Sequence, residues 1–214
     1  MSGVEAVLPA GITHYRGSRG QDVGVLAAAL EKNSTLTSID LRCNQVGDKG
    51  LASLAAALKK NSTLTRLDLI YNEIGPEGAV GLAAALEKNT TVTSLDLSEN
   101  RIGDEGAASM AAALEKNYAL EVLELACSKE MRDQVNQLLA RNVARYQQWQ
   151  NSVMGWMWAS KHLHVHLPRD VALMIGKMIW KTRTIFESPS IGGDILASSH
   201  SPFKRICQRD KDSL

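Results

Sequence analysis

Aromatic residues are scarce, at 5% of the 214-residue chain, so the apolar content is mostly aliphatic, with alanine abundant. Cysteine is also sparse: Cys43, Cys127 and Cys207 form an odd set without a C-x-x-C pair. That excludes a disulfide framework and a thiolate zinc site, and leads us to expect reduced thiols in a cytoplasmic protein. No apolar run approaches the ~20 residues needed to span a bilayer, so no membrane partner is expected. The first residues, MSGVEAVLPAGITHYRGSRG, lack a charged start followed by an apolar stretch, so no secretory signal is expected either. The net charge is only +1, which gives the whole chain no basic excess for nucleic acid. The phosphate-loop, dinucleotide, nucleophile-elbow and H-E-x-x-H motifs are all missing. Cys207 and His200 lie in a segment that reads as a tail, where nothing would hold a nucleophile–base pair. No enzyme activity, cofactor or metal is therefore expected.

What is present is an ordinary globular balance of 44% apolar and 22% charged residues, which excludes wholesale disorder. The length suits one domain, or one domain with an appendage.

The dominant feature is a repeat. EKNSTLTSIDLRCNQVGDKGLASLAAAL starts at residue 31, KKNSTLTRLDLIYNEIGPEGAVGLAAAL at 59, and EKNTTVTSLDLSENRIGDEGAASMAAAL at 87. A fourth copy begins at 115 as EKNYALEVLELACSKEM and then degrades, and a half-unit, QDVGVLAAAL, precedes them at 21–30. The step is 28 residues each time.

Each unit alternates between two periodicities. Ile39 and Leu41 point to one face of a short strand, as do their equivalents. Asn44, Asn72 and Asn100 are expected to turn the chain and satisfy buried backbone groups through their amides. Glycine then permits a turn, and Asp48, Pro76 or Asp104 starts a helix. Leu51, Leu54 and Leu58 recur at helical spacing, with alanines that let neighbouring helices approach. Lys32-Asn33, Lys60-Asn61, Lys88-Asn89 and Lys116-Asn117 end each helix with a cation and a turn former.

Neither the strand nor the helix can bury its apolar face alone, so the units must stack. The pattern resembles the ribonuclease-inhibitor-like class of leucine-rich repeats, the class of RanGAP and the NOD-like receptors, over about residues 20–131. That resemblance implies an α/β leucine-rich repeat solenoid: a right-handed superhelix of strand–helix units with a parallel inner sheet and outer helices.

A fixed period lines equivalent residues up in columns. Cys43 and Cys127 share a slot three repeats apart, roughly 15 Å at ordinary strand spacing, beyond the reach of a disulfide. Both are expected to be free thiols. The outward strand positions give a carboxylate column of Asp40, Asp68, Asp96 and Glu124. Beside it run Ser38, Arg66, Ser94, Val122 and Arg42, Ile70, Ser98, Ala126, with Cys43, Tyr71, Glu99, Cys127 near the strand ends. Stacked like charges cost stability unless cations sit close, and Arg42 and Arg66 could supply these at one end. One reading is an acidic strip for a basic protein partner, with Tyr71 and Ile70 as apolar anchors and Glu99 alongside. The other is that Leu-Asp-Leu is the ordinary strand filling of this class and the aspartates aid solubility.

The C-terminal third differs. Residues 1–131 hold 12 Lys/Arg against 17 Asp/Glu, whereas residues 132–214 hold 12 against 6. All four tryptophans lie in the second part. Residues from Arg132 to about Asn151 read as a helix that caps the solenoid, which an open array needs. The apolar VMGWMW run packs on that cap or forms a binding patch. His162, His164 and His166 alternate with apolar residues; a solvated strand or linker is favoured over a zinc site, since no Cys or carboxylate motif accompanies them. LPRDVALMIGKMIW opens a further helix that loosely resembles the start of an F-box. The chain thus divides into an N-terminal segment (1–20), repeats (21–131), a helical C-terminal cap (132–183) and a disordered tail (184–214).

The expected function is a non-enzymatic scaffold that binds a protein partner on its concave face. Three alternatives follow from resemblance: a RanGAP-like regulator of a small GTPase, a ubiquitin-ligase adaptor, and a host-directed bacterial effector.

Overall fold

The computed structural model describes residue 8 and residues 11–163, with side chains through residue 151. The chain divides into two compact units, Met1–Tyr146 and Gln147–Leu214, and each is taken by itself. Of the second unit, only the continuation of the last helix to Leu163 is described.

The first unit is an α/β repeat solenoid. Its elements alternate: β1 (His14–Arg16), α1 (Val23–Lys32), β2 (Ser38–Asp40), α2 (Gly47–Leu58), β3 (Arg66–Asp68), α3 (Pro76–Leu86), β4 (Ser94–Leu97), α4 (Gly103–Lys116), β5 (Val122–Leu125) and α5 (Lys129–Leu163). The strands form one parallel sheet in the order β1-β2-β3-β4-β5. Ile39, Leu67, Leu95 and Leu123 are in register and buried, and Leu36, Leu64, Val92 and Leu120 just before each strand are buried too. Each of these aliphatic side chains contributes on the order of 2 kcal/mol by leaving water.

Helix packing explains the second glycine of each repeat. A Cβ built on Gly106 would lie 2.9 Å from Ala79 Cβ and 2.5 Å from Ile102 Cγ2, so α3 and α4 approach too closely for any side chain there. Gly47 and Gly103 adopt positive φ (57° and 61°), where glycine alone is unstrained. Gly75 does not, because Pro76 follows it at the helix start.

Two asparagine ladders hold the turns. Asn72 Oδ1 accepts from the N–H groups of Asn44 and Val46 (3.0 and 3.2 Å), and its amide donates to Leu41 O and Ile70 O. Asn100 repeats this one unit on, accepting from Asn72 and Ile74. At the opposite strand ends Asn61, Asn89 and Asn117 do more than terminate helices. Asn89 donates to Leu58 O at the end of α2 and to Asn61 O in the preceding repeat, and accepts from Thr91 and Val92. Asn142 of α5 closes this second ladder by donating to Asn117 O and Leu120 O, while Val135 and Leu139 enter the core. Within the first unit, α5 thus packs against the last repeat.

Three expectations change. Residues 14–16, assigned only to an N-terminal segment, form a strand that pairs with β2. Cys127 is a free thiol, but Cys43 is disulfide-bonded. The column spacing excluded only a bridge between those two. Helix α5 runs through His162, so that residue is helical rather than extended. His164 and His166, the F-box-like stretch and the basic tail lie outside the described residues.

Candidate docking site on the sheet face

The strand register brings the predicted carboxylates into one row. Asp40 pairs with Asp68, Asp68 with Asp96, and Asp96 with Glu124. The row has a head that the sequence reading missed: Arg16 of β1 is in register with Asp40. The signal for it was the half-unit at 21–30, because a helix in this repeat requires a strand before it.

Local chemistry explains part of the row. Asp40, Asp68 and Asp96 each accept the backbone N–H two residues on, from Arg42, Ile70 and Ser98 (3.1, 3.3 and 2.9 Å). The carboxylates therefore shape the turns that follow the strands. Those turns carry Cys43, Tyr71 and Glu99, all held at φ near +58° (58°, 59° and 57°), a left-handed conformation that costs a non-glycine residue about 1 kcal/mol.

The cations are unevenly spread. Arg42 donates Nε to Asp40 Oδ1 and Nη2 to Asp40 Oδ2 (2.9 and 2.6 Å) and reaches Asp68 Oδ2 at 3.4 Å. Arg16 approaches Asp40 at 3.7 Å. Burial works to raise the Asp40 carboxyl, but the hydrogen bonds and charge of Arg42, with help from Arg16, hold it below the usual value. Asp68 is buried, and desolvation, aided by the charge of Asp96, pushes its pKa to about 6. Glu124 is raised too, first by burial and then by Asp96, with Arg132 opposing. Arg66 lies one column over, exposed, and makes no ion pair among the described residues. The row is therefore neutralised at the β1–β2 end and acidic at the β4–β5 end.

Of the two expected apolar anchors, Tyr71 is half-buried and accessible, whereas Ile70 is buried and offers almost no surface. Val122, 47% exposed, lies two residues before Glu124 and adds an apolar contact that was assigned no role. Glu99 is exposed beside Tyr71 in the neighbouring repeat. Asn44, Asn72 and Asn100 are buried under this face and belong to the scaffold.

A leucine-rich repeat family model matches residues 32–55, 60–83 and 88–111. The repeated units are leucine-rich repeats. The chain is similar to the solved structure of leiomodin-1 actin-binding site 2, with a TM-score of 0.64 and 25% identity, covering 72% of this chain and 93% of that one. It shares its fold with the tropomodulin C-terminal domain of Caenorhabditis elegans, with a TM-score of 0.61, 16% identity, and coverage of 70% and 94%. No curated protein matches the chain. No helix among the described residues is long and apolar enough to cross a membrane. Nor does any group of three or more His, Cys, Asp or Glu there stand ready to hold a metal ion.

Proposed function

We propose that the chain is a non-enzymatic docking module that binds actin through the outward face of its repeat sheet, read as the concave side of a ribonuclease-inhibitor-like solenoid. The observation that carries the docking face is the row itself. Asp96 and Glu124 stand in register, form no ion pair among the described residues and lie beside exposed Val122, and so offer negative charge and apolar contact to a partner's lysine or arginine. Actin as the partner rests on the similarity to leiomodin-1 actin-binding site 2 along most of both chains. Actin binding would place the chain's work in the cytoplasm.

The test is direct titration of the purified full chain with monomeric actin, followed by co-sedimentation with filaments. Saturable binding in either form supports the reading. Absence of binding in both overturns actin as the partner.

A further inference from the structure

The fourth repeat departs from the others at one exposed slot. Ser34, Ser62 and Thr90 occupy it in the first three repeats, and Tyr118 in the fourth. Tyr118 is 52% exposed and its hydroxyl has no hydrogen-bond partner among the described residues. The ring nevertheless holds two cations. The guanidinium carbon of Arg141 lies 4.9 Å from its centroid and that of Arg145 lies 4.2 Å away.

Arg141 and Arg145 are one turn apart on α5, where like charges repel. Here the fold brings both against one aromatic ring. No carboxylate balances them: neither forms an ion pair among the described residues. Arg141 Nη2 donates to Leu114 O in the last turn of α4 and to Asn142 Oδ1, which fixes its position, yet its buried Nε has no partner. Arg145 is exposed and makes no hydrogen bond at all among the described residues. Two guanidinium groups thus meet at one exposed aromatic ring, and Arg145 keeps its donors for a planar carboxylate.

We propose that Tyr118, Arg141 and Arg145 form a second docking site, which takes an acidic segment of a partner protein. A polyanionic nucleic acid fits less well, because residues 1–146 carry 15 Lys/Arg against 18 Asp/Glu and repel it overall. The site is opposite in sign to the carboxylate row, and it stands whether or not actin is the partner.

The test uses the full chain and fluorescein-labelled octaglutamate, followed by fluorescence anisotropy at about 50 mM salt, where exposed charges are weakly screened. Arg145→Ala should weaken binding about tenfold, and Arg145→Lys should fall between it and the unsubstituted protein. Tyr118→Ala should also weaken binding about tenfold, while Tyr118→Phe keeps the ring and the affinity. Because Arg141 also holds the end of α4, the exposed pair Tyr118 and Arg145 carries the test. No binding of octaglutamate, or equal affinity in Arg145→Ala, overturns the proposal. So does tighter binding of single-stranded oligothymidylate, lost in the same variant, which assigns the site to nucleic acid.

Discussion

Arg42 gives two short side-chain hydrogen bonds to Asp40 and meets Asp68 at 3.4 Å. Asp68 is therefore a buried carboxylate with a shared cation, flanked by Asp40 and Asp96, and its pKa rises from 3.8 to about 6. A raised carboxyl pKa means that the folded state binds the proton more tightly than the unfolded state. Asp68 thus adds stability as pH falls from about 6 towards 4, and withdraws it as pH rises through the same window. Asp68→Asn cannot take up that proton. Urea denaturation should show the variant losing ground to the unsubstituted protein by up to about 2 kcal/mol between roughly pH 7 and pH 4. A difference that does not change with pH would contradict the account of this site.

The asparagine ladder makes unequal demands on chemically identical residues. Asn72 makes four hydrogen bonds with backbone groups, three of them in the preceding repeat. Asn44 donates only to Arg42 O, and its Oδ1 is buried without a partner. Asn72→Ala should cost about 4 kcal/mol in chemical denaturation and Asn44→Ala about 1 kcal/mol. Equal losses would mean that the bonds between repeats carry no special weight.

Two glycines on neighbouring helices should respond with opposite sign. A methyl group at Gly106 meets Ala79 and Ile102 within 3 Å, so Gly106→Ala should destabilise by about 1–3 kcal/mol. Gly81 lies inside α3 with nothing within 4 Å of its would-be Cβ. Gly81→Ala should stabilise by about 0.5–1 kcal/mol through helix propensity alone. Thermal melts of the two variants read both signs.

The period of 28 residues was enough to read the solenoid, the parallel order and the carboxylate row, because a fixed step forces equivalent residues into adjacent strands. What the pattern hid has physical reasons. His14-Tyr15-Arg16 lacks the Leu-x-Leu alternation, since at the sheet edge Tyr15 is only partly buried, and so β1 and its Arg16 went unread. Asn61, Asn89 and Asn117 showed themselves as turn formers, but their donors reach into the preceding repeat, a contact that no single unit reveals. Arg42 was read as one of two cations for the row. Its preference for Asp40 over Asp68 depends on side-chain geometry two residues away, which periodicity does not specify. Cys43 shows the limit of column reasoning, which can exclude one partner without excluding others.

The docking face is tested most directly by charge reversal at the β4–β5 end of the row, where the carboxylates form no ion pair among the described residues. The measurement is the affinity for actin of Asp96→Lys/Glu124→Lys, set beside Glu77→Lys/Glu105→Lys, which makes the same change in net charge on exposed first turns of α3 and α4. The account predicts a loss of at least about tenfold for the first pair and almost none for the second. Equal losses, or an unchanged affinity in the first pair, would contradict it.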